Sequence, residues 1–233
     1  MTSIWAVVPA AGSGRRMTTE IPKQYLTVSG ASLLEHTMRA LLASSQIRGV
    51  VAVIDPSDRR ADQIASLSDP RVFTAAGGAE RVDSVLSGLQ YLNGVADDDD
   101  WVLVHDAARP CLPIAVLTRL IDHVVDTAQG AILAQPITDT IKRCSEAGMV
   151  IETLDRNALW RAQTPQMFRL HELRSALSAA IAANEAVTDE AAAMSLAGYA
   201  VQIVEGPACN FKVTVSEDLK RAELYLKALE AGQ

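Results

Sequence analysis

Gly49-Val50-Val51-Ala52-Val53-Ile54, closed by Asp55-Pro56, is an unbroken apolar run that stops at a turn signal. Such a run reads as a strand buried on both faces, the kind found where helices cover both sides of a parallel sheet. The flanking sequence keeps one rhythm. Upstream, Trp5–Val8 reads as a strand and Leu33–Ser44 as a helix; downstream, Arg59–Leu67 reads as a helix, Val72–Ala75 as a strand and Val82–Leu92 as a helix. Trp101–His105, Ile114–Thr127 and Ala131–Gln135 continue it as strand, helix, strand. The alternation predicts an α/β fold, a Rossmann-like three-layer α/β/α sandwich.

The rhythm breaks after Pro136. Residues 137–163 carry Thr138-Asp139-Thr140, the turn signal Glu146-Ala147-Gly148 and the alternating Val150, Glu152 and Leu154. They read as a β-hairpin arm projecting from the sheet. Two placements fit: folded back on its own domain, or packed on a second copy of the chain, which we favour. Helices follow at Glu172–Asn184 and from Thr188, strands at Ala200–Val204 and Phe211–Val213, and a closing helix at Glu217–Glu230. The four aspartates 97–100 repel one another and read as a solvated loop. Residues 1–233 are expected to form one domain.

Composition narrows the class. An apolar fraction of 49% over 233 residues supports a substantial core, and the net charge of −7 argues against a nucleic-acid partner. No apolar run is long enough to span a membrane. Met1-Thr2-Ser3 lacks the charged start of a signal sequence, so a cytoplasmic protein is expected. Cys111, Cys144 and Cys209 are too far apart for a CxxC motif, and the four histidines show no metal-ligand spacing.

Chemistry gathers in three places, all expected at the carboxyl ends of strands. The first is Pro9-Ala10-Ala11-Gly12-Ser13-Gly14-Arg15-Arg16-Met17, with Lys23 behind Pro22. Small residues let backbone N–H groups approach an anion, and Arg15, Arg16 and Lys23 crowd positive charge beside them. Met17 stands where a dinucleotide fingerprint needs its third glycine, and Gly14 precedes Arg15 rather than a Walker lysine. A triphosphate is the ligand this loop suits. The second is Gly77-Gly78 leading to Arg81 and Ser84, three apart on one helical face. It reads either as a nucleotide contact or as a structural turn. The third is His105-Asp106-Ala107-Ala108-Arg109-Pro110. An aspartate ending a buried strand suits a divalent cation carried by a nucleotide, or else caps the next turn; Arg109 offers a fork for a second phosphate.

These segments resemble one family, the 2-C-methyl-D-erythritol 4-phosphate cytidylyltransferases of non-mevalonate isoprenoid synthesis. The likeness continues through Pro22-Lys23-Gln24-Tyr25, Asp139-Thr140-Ile141-Lys142, Thr153 to Arg156, Gln163-Thr164-Pro165-Gln166, Thr188-Asp189-Glu190-Ala191 and Asn210-Phe211-Lys212-Val213-Thr214. It covers nearly the whole chain. One departure is Ala79, where some members carry an acid after the glycine pair.

The resemblance implies transfer of CMP from CTP to 2-C-methyl-D-erythritol 4-phosphate, with release of pyrophosphate. It implies that Arg16, Lys23 and Lys212, the last on the Phe211–Val213 strand, stabilise charge at the α-phosphate, and that Pro9, Ala10, Ala11, Gly12 and Gly14 wrap the phosphates. Gly78, Arg81, Ser84 and Ala107 would hold the nucleoside, and Asp106 would bind Mg²⁺. Arg109, Thr140, Arg156 and Thr188 would gather round the acceptor; Thr188 also suits a helix N-cap, and Arg156 a surface ion pair. Thr140 and Arg156 sit on the arm, so they would reach a partner's site and make a homodimer necessary for catalysis. The same loops would also serve a cytidylyltransferase for ribitol phosphate, or a sugar nucleotidyltransferase using UTP or GTP.

Overall fold

A computed structural model describes residues 2–12 and 21–231 of the chain. Arg15, Arg16 and Gly14, named above, lie outside these residues. The chain opens with β1 (Ile4–Pro9), a small hairpin of β2 (Thr27–Val28) and β3 (Ala31–Ser32), then α1 (Leu33–Leu42). Next come β4 (Ile47–Ile54), β5 (Val72–Ala76), α2 (Arg81–Leu92), β6 (Trp101–Val104), α3 (Ile114–Thr127) and β7 (Ala131–Pro136). The arm carries β8 (Lys142–Cys144) and β9 (Val150–Thr153). It returns through β10 (Trp160–Arg169) to α4 (Leu170–Ala182), α5 (Glu190–Leu196), β11 (Gln202–Glu205) and α6 (Ser216–Ala231).

Seven strands form the main sheet in the order β11-β7-β10-β6-β1-β4-β5. All neighbours are parallel except β10, which runs antiparallel to both β6 and β7. Alternate residues of the buried strands serve opposite faces. Ala6, Val8, Val50 and Leu103 meet Leu34, Met38, Leu117 and Leu120 of α1 and α3. Trp5, Val7, Val51 and Val102 meet Val85 and Leu89 of α2 and Leu173 and Leu177 of α4. The three layers stand as expected. In α2, Gly88 lets the helix settle on the sheet: a Cβ there would lie 2.6 Å from Val7 Cγ1.

Several expectations change. Residues 59–67, read as one helix, form two 3-10 turns, Arg59–Gln63 and Ala65–Ser68. Phe211–Val213, expected as a strand, lies outside the sheet as an irregular segment; the Val213 N–H donates to Ala108 O at 2.8 Å. The tenth strand was not foreseen. Asp100 is not solvated: its carboxylate is buried and accepts from Ser3 N at 2.7 Å and Trp5 Nε1 at 2.9 Å, tying the β6 approach to β1.

Candidate active site

The carboxyl ends of β1, β5 and β6 open into one cavity of about 530 Å³, within the range of small-ligand sites. Its first wall is the loop after β1. The Ala10 N–H still donates to Val53 O at 2.7 Å, extending the parallel ladder by one residue. The chain then leaves the sheet, and buried Gln24 holds it: Nε2 donates to Ala10 O at 2.7 Å and Gly12 O at 3.0 Å. Pro9, Ala10, Ala11 and Gly12 all line the cavity, as does Lys23 from the 3-10 turn Lys23–Tyr25.

The second wall is the glycine pair. The Gly77 N–H donates to Ile54 O at 2.8 Å, and a Cβ on Gly77 would fall 2.0 Å from Ala11 Cβ. Gly77 therefore lets the loop after β5 touch the loop after β1. Gly78 N–H donates to Ser84 Oγ at 3.1 Å, and that hydroxyl donates to Glu80 O at 3.1 Å. Gly78, Arg81 and Ser84 line the cavity, and Ser84 braces the loop from beneath.

Asp106 is the centre. Its N–H donates to Thr164 Oγ1 at 3.0 Å, and Thr164 Oγ1 lies 2.9 Å from His105 Nδ1. Burial pushes His105 down to about 4, so the ring is neutral near pH 7; its Nε2 faces Arg109 O at 3.1 Å. The neutral imidazole fits one tautomer, with Nε2–H donating to the carbonyl and Nδ1 accepting from the threonine hydroxyl.

Three cations converge on the Asp106 carboxylate. Arg81 Nε lies 3.0 Å from Oδ1, Lys212 Nζ 2.9 Å from Oδ2 and Arg109 Nε 3.4 Å from Oδ2. Burial alone would raise this carboxyl, but the charges of Arg81, Lys212 and Arg109 outweigh it and hold the group well below the usual carboxylate range. Arg109 is almost enclosed; it donates from Nη1 to Asn210 O at 2.8 Å, and burial pushes its guanidinium below its ordinary value. Lys212 arrives on the irregular segment rather than on a strand, with Val213 anchored to Ala108. Ala107 lies on the wall beside Asp106.

The donor set fits a magnesium ion in a limited way. Among the described residues, no three His, Cys, Asp or Glu side chains gather to hold a metal. Mg²⁺ usually takes one or two carboxylates with phosphate oxygens and water, so Asp106 suits an ion that arrives with a triphosphate.

The structure brings together Lys23, Gly78, Arg81, Ser84, Asp106, Ala107 and Lys212 with the first loop, and sets Arg109 behind Asp106. It does not bring in Thr188, Thr140 or Arg156. Thr188 is exposed beside a separate hollow of about 80 Å³ that shares Glu80 and Arg81 with the main cavity. The N-cap of α5 is Asp189, whose side chain accepts from Ala192 N–H at 3.0 Å, not Thr188. Thr140 and Arg156 are exposed on the arm, where Arg156 donates to Thr138 O rather than to an acid. Sequence reading missed Gln24, Thr164 and Glu190. Each had a signal, since each stands in a segment of the family likeness, Pro22–Tyr25, Gln163–Gln166 or Thr188–Ala191, but its residue type alone assigned it no task.

The family model described as IspD, 2-C-methyl-D-erythritol 4-phosphate cytidylyltransferase, matches residues 4–228. A 2-C-methyl-D-erythritol 4-phosphate cytidylyltransferase of Vibrio vulnificus is 47% identical over 226 residues, 97% of this chain and 95% of the relative. One of Aeromonas hydrophila is 48% identical over 228 residues, covering 98% and 91%. Among solved structures, a 4-diphosphocytidyl-2C-methyl-D-erythritol synthase superposes with a TM-score of 0.84 at 35% identity, covering 97% of this chain and 99% of that one. The Francisella tularensis 2-C-methyl-D-erythritol 4-phosphate cytidylyltransferase gives 0.82 at 31% identity, covering 96% and 100%. The chain belongs to the 2-C-methyl-D-erythritol 4-phosphate cytidylyltransferase family, nucleotidyltransferases that move CMP from CTP to this polyol phosphate in isoprenoid precursor synthesis.

Proposed function

We propose that the cavity holds CTP with its phosphates along Pro9–Gly14 and its nucleoside against Gly78, Arg81, Ser84 and Ala107. An acceptor phosphate oxygen attacks the α-phosphorus; the bond from that phosphorus to the bridging oxygen breaks, and pyrophosphate leaves. A phosphate monoester has its second pKa near ~6, so the nucleophile is already ionised near neutrality and needs no base. The work left to the protein is positioning and charge stabilisation. Lys23, Lys212 and Arg16 supply positive charge to the α-phosphate and the leaving group. Arg109 and Thr188, with Thr140 and Arg156 from a partner's arm, receive the acceptor. Residues 1–233 act as one catalytic domain, and two copies complete each other's sites.

The convergence of Arg81, Arg109 and Lys212 on Asp106 carries this reading. It pre-arranges cations round a single anion on the wall of the cavity. Asp106 would hold Mg²⁺, which neutralises phosphate charge when bound. The test is pyrophosphate release from CTP and the acceptor over a magnesium titration, for the wild type and Asp106→Asn. A higher magnesium requirement in the variant supports the metal role; an unchanged midpoint sinks it.

A further inference from the structure

Glu190 carries a carboxylate at 1% exposure, and the proposed chemistry gives it no task. It forks onto Arg81: Nη1 lies 2.6 Å from Oε1 and Nη2 3.1 Å from Oε2. Arg81 spends its remaining direction, Nε, on Asp106 Oδ1 at 3.0 Å. All three guanidinium nitrogens are therefore engaged, and the fork cannot turn without breaking a charged hydrogen bond. Glu190 is itself anchored. Gln166 Nε2 donates to Asp189 Oδ2 at 2.9 Å, and the Ala191 N–H donates to Gln166 Oε1 at 2.8 Å. Gln166 sits on β10 opposite Val104, two residues before Asp106. A closed circuit results, from β6 through β10 and the start of α5 to Glu190, Arg81 and back to Asp106.

Without Glu190, the Arg81 fork has two free N–H edges beside the Asp106 carboxylate that its Nε already contacts. It would swing onto that carboxylate bidentately and compete with Lys212, 2.9 Å from Oδ2. We propose that Glu190 is a positioning residue: by occupying the Arg81 fork it keeps Asp106 Oδ2 open to Lys212 and fixes the cations of the transfer site. This rests on the reading that Asp106 and Lys212 serve the transfer.

The test is a double-mutant cycle with Glu190→Gln, Arg81→Met and both together, measuring kcat and the KM for CTP by pyrophosphate release. Glu190→Gln should lower kcat at least tenfold and shift the KM for CTP less than threefold. The double variant should be no slower than Arg81→Met, because Glu190 acts through Arg81. Near-wild-type kcat in Glu190→Gln beside an impaired Arg81→Met overturns the proposal, as do losses that multiply in the double variant. Full activity in Arg81→Met would instead overturn the placement of Arg81 in the site, and the proposal with it. If Glu190→Gln does not fold, Arg81→Met with Glu190→Met leaves no unmatched buried charge and replaces it. Wild-type kcat there overturns the proposal, as does a loss well beyond that of Arg81→Met alone; kcat equal to that of Arg81→Met supports it.

Discussion

Lys212 stands 2.9 Å from the Asp106 carboxylate and lines the cavity, as does Lys23. In the proposed transfer, each would bring a charge to the site as phosphate charge shifts. Loss of one such group costs about 3 kcal/mol, so Lys212→Ala and Lys23→Ala should each lower kcat by about two decades. Pyrophosphate release beside an unchanged circular-dichroism spectrum checks this, and near-native turnover would remove the role. Gly77 makes a geometric prediction. Its added Cβ would meet Ala11 Cβ at 2.0 Å, so Gly77→Ala must push the first loop outward. The KM for CTP should rise about tenfold, ~1.4 kcal/mol, with calorimetric affinity falling in step. The gathering of small residues with Lys23 was legible, because glycine and alanine beside a basic residue mark a loop that lets groups approach closely, and they line one cavity. The Arg81–Glu190 pair was not. An acid opening a helix is commonplace, and only tertiary packing buries it.

Element by element, the buried parallel strands were legible and β10 was not. Trp160-Arg161-Ala162-Gln163-Thr164-Pro165-Gln166 is polar, lacks alternation and contains a proline, which argues against a central strand. The strand is central because its polar side chains are spent on the site: Thr164 on Asp106 and His105, Gln166 on Asp189. The register also shifts between Ala162 and Gln166, on either side of the proline. Phe211–Val213 erred the opposite way, since its apolar residues pack against α6 and not in the sheet. On the other face, buried Glu35 ties α1 to the turn at 65–68. Its carboxylate accepts from Ser66 N at 3.0 Å and Oγ at 2.9 Å, and pairs with Arg39 at 2.7 Å. Burial raises this carboxyl, but the Ser66 and Arg39 contacts win and hold it below its ordinary value of 4.5. The folded state thus binds the proton less tightly than the unfolded chain, so the stabilisation is present above 4.5 and is lost as pH falls below it. Glu35→Gln should cost about 1–2 kcal/mol at pH 7, and urea melts should show the gap closing toward pH 3.

At the scale of the molecule, the arm's β8 and β9 form a two-stranded sheet apart from the main one among the described residues. Met149, Val150 and Ile151 are 71%, 60% and 64% exposed on a two-stranded hairpin, more apolar surface than such a ribbon keeps in water alone. A complementation experiment tests whether a second copy covers it and shares its arginine. Lys212→Ala and Arg156→Ala enzymes, each nearly inactive, are unfolded together and refolded as a mixture. Hybrids with one intact site should restore about a quarter of wild-type activity if each pocket takes its partner's arm. The mixture should also elute at twice the 24.9 kDa of one chain; no recovery at that size would place the arm on its own chain's site, and a fully active Arg156→Ala would place Arg156 outside the site. The insertion of β10 between β6 and β7 has one more consequence, in the order of synthesis. The strands β1, β4, β5 and β6 are complete by Val104, yet the neighbour that closes the β6 edge ends at Arg169. At 5–20 residues per second, a ribosome leaves that edge bare for about 3–13 s. The growing polypeptide on the ribosome, more than the finished enzyme, is then the species open to stray strand pairing.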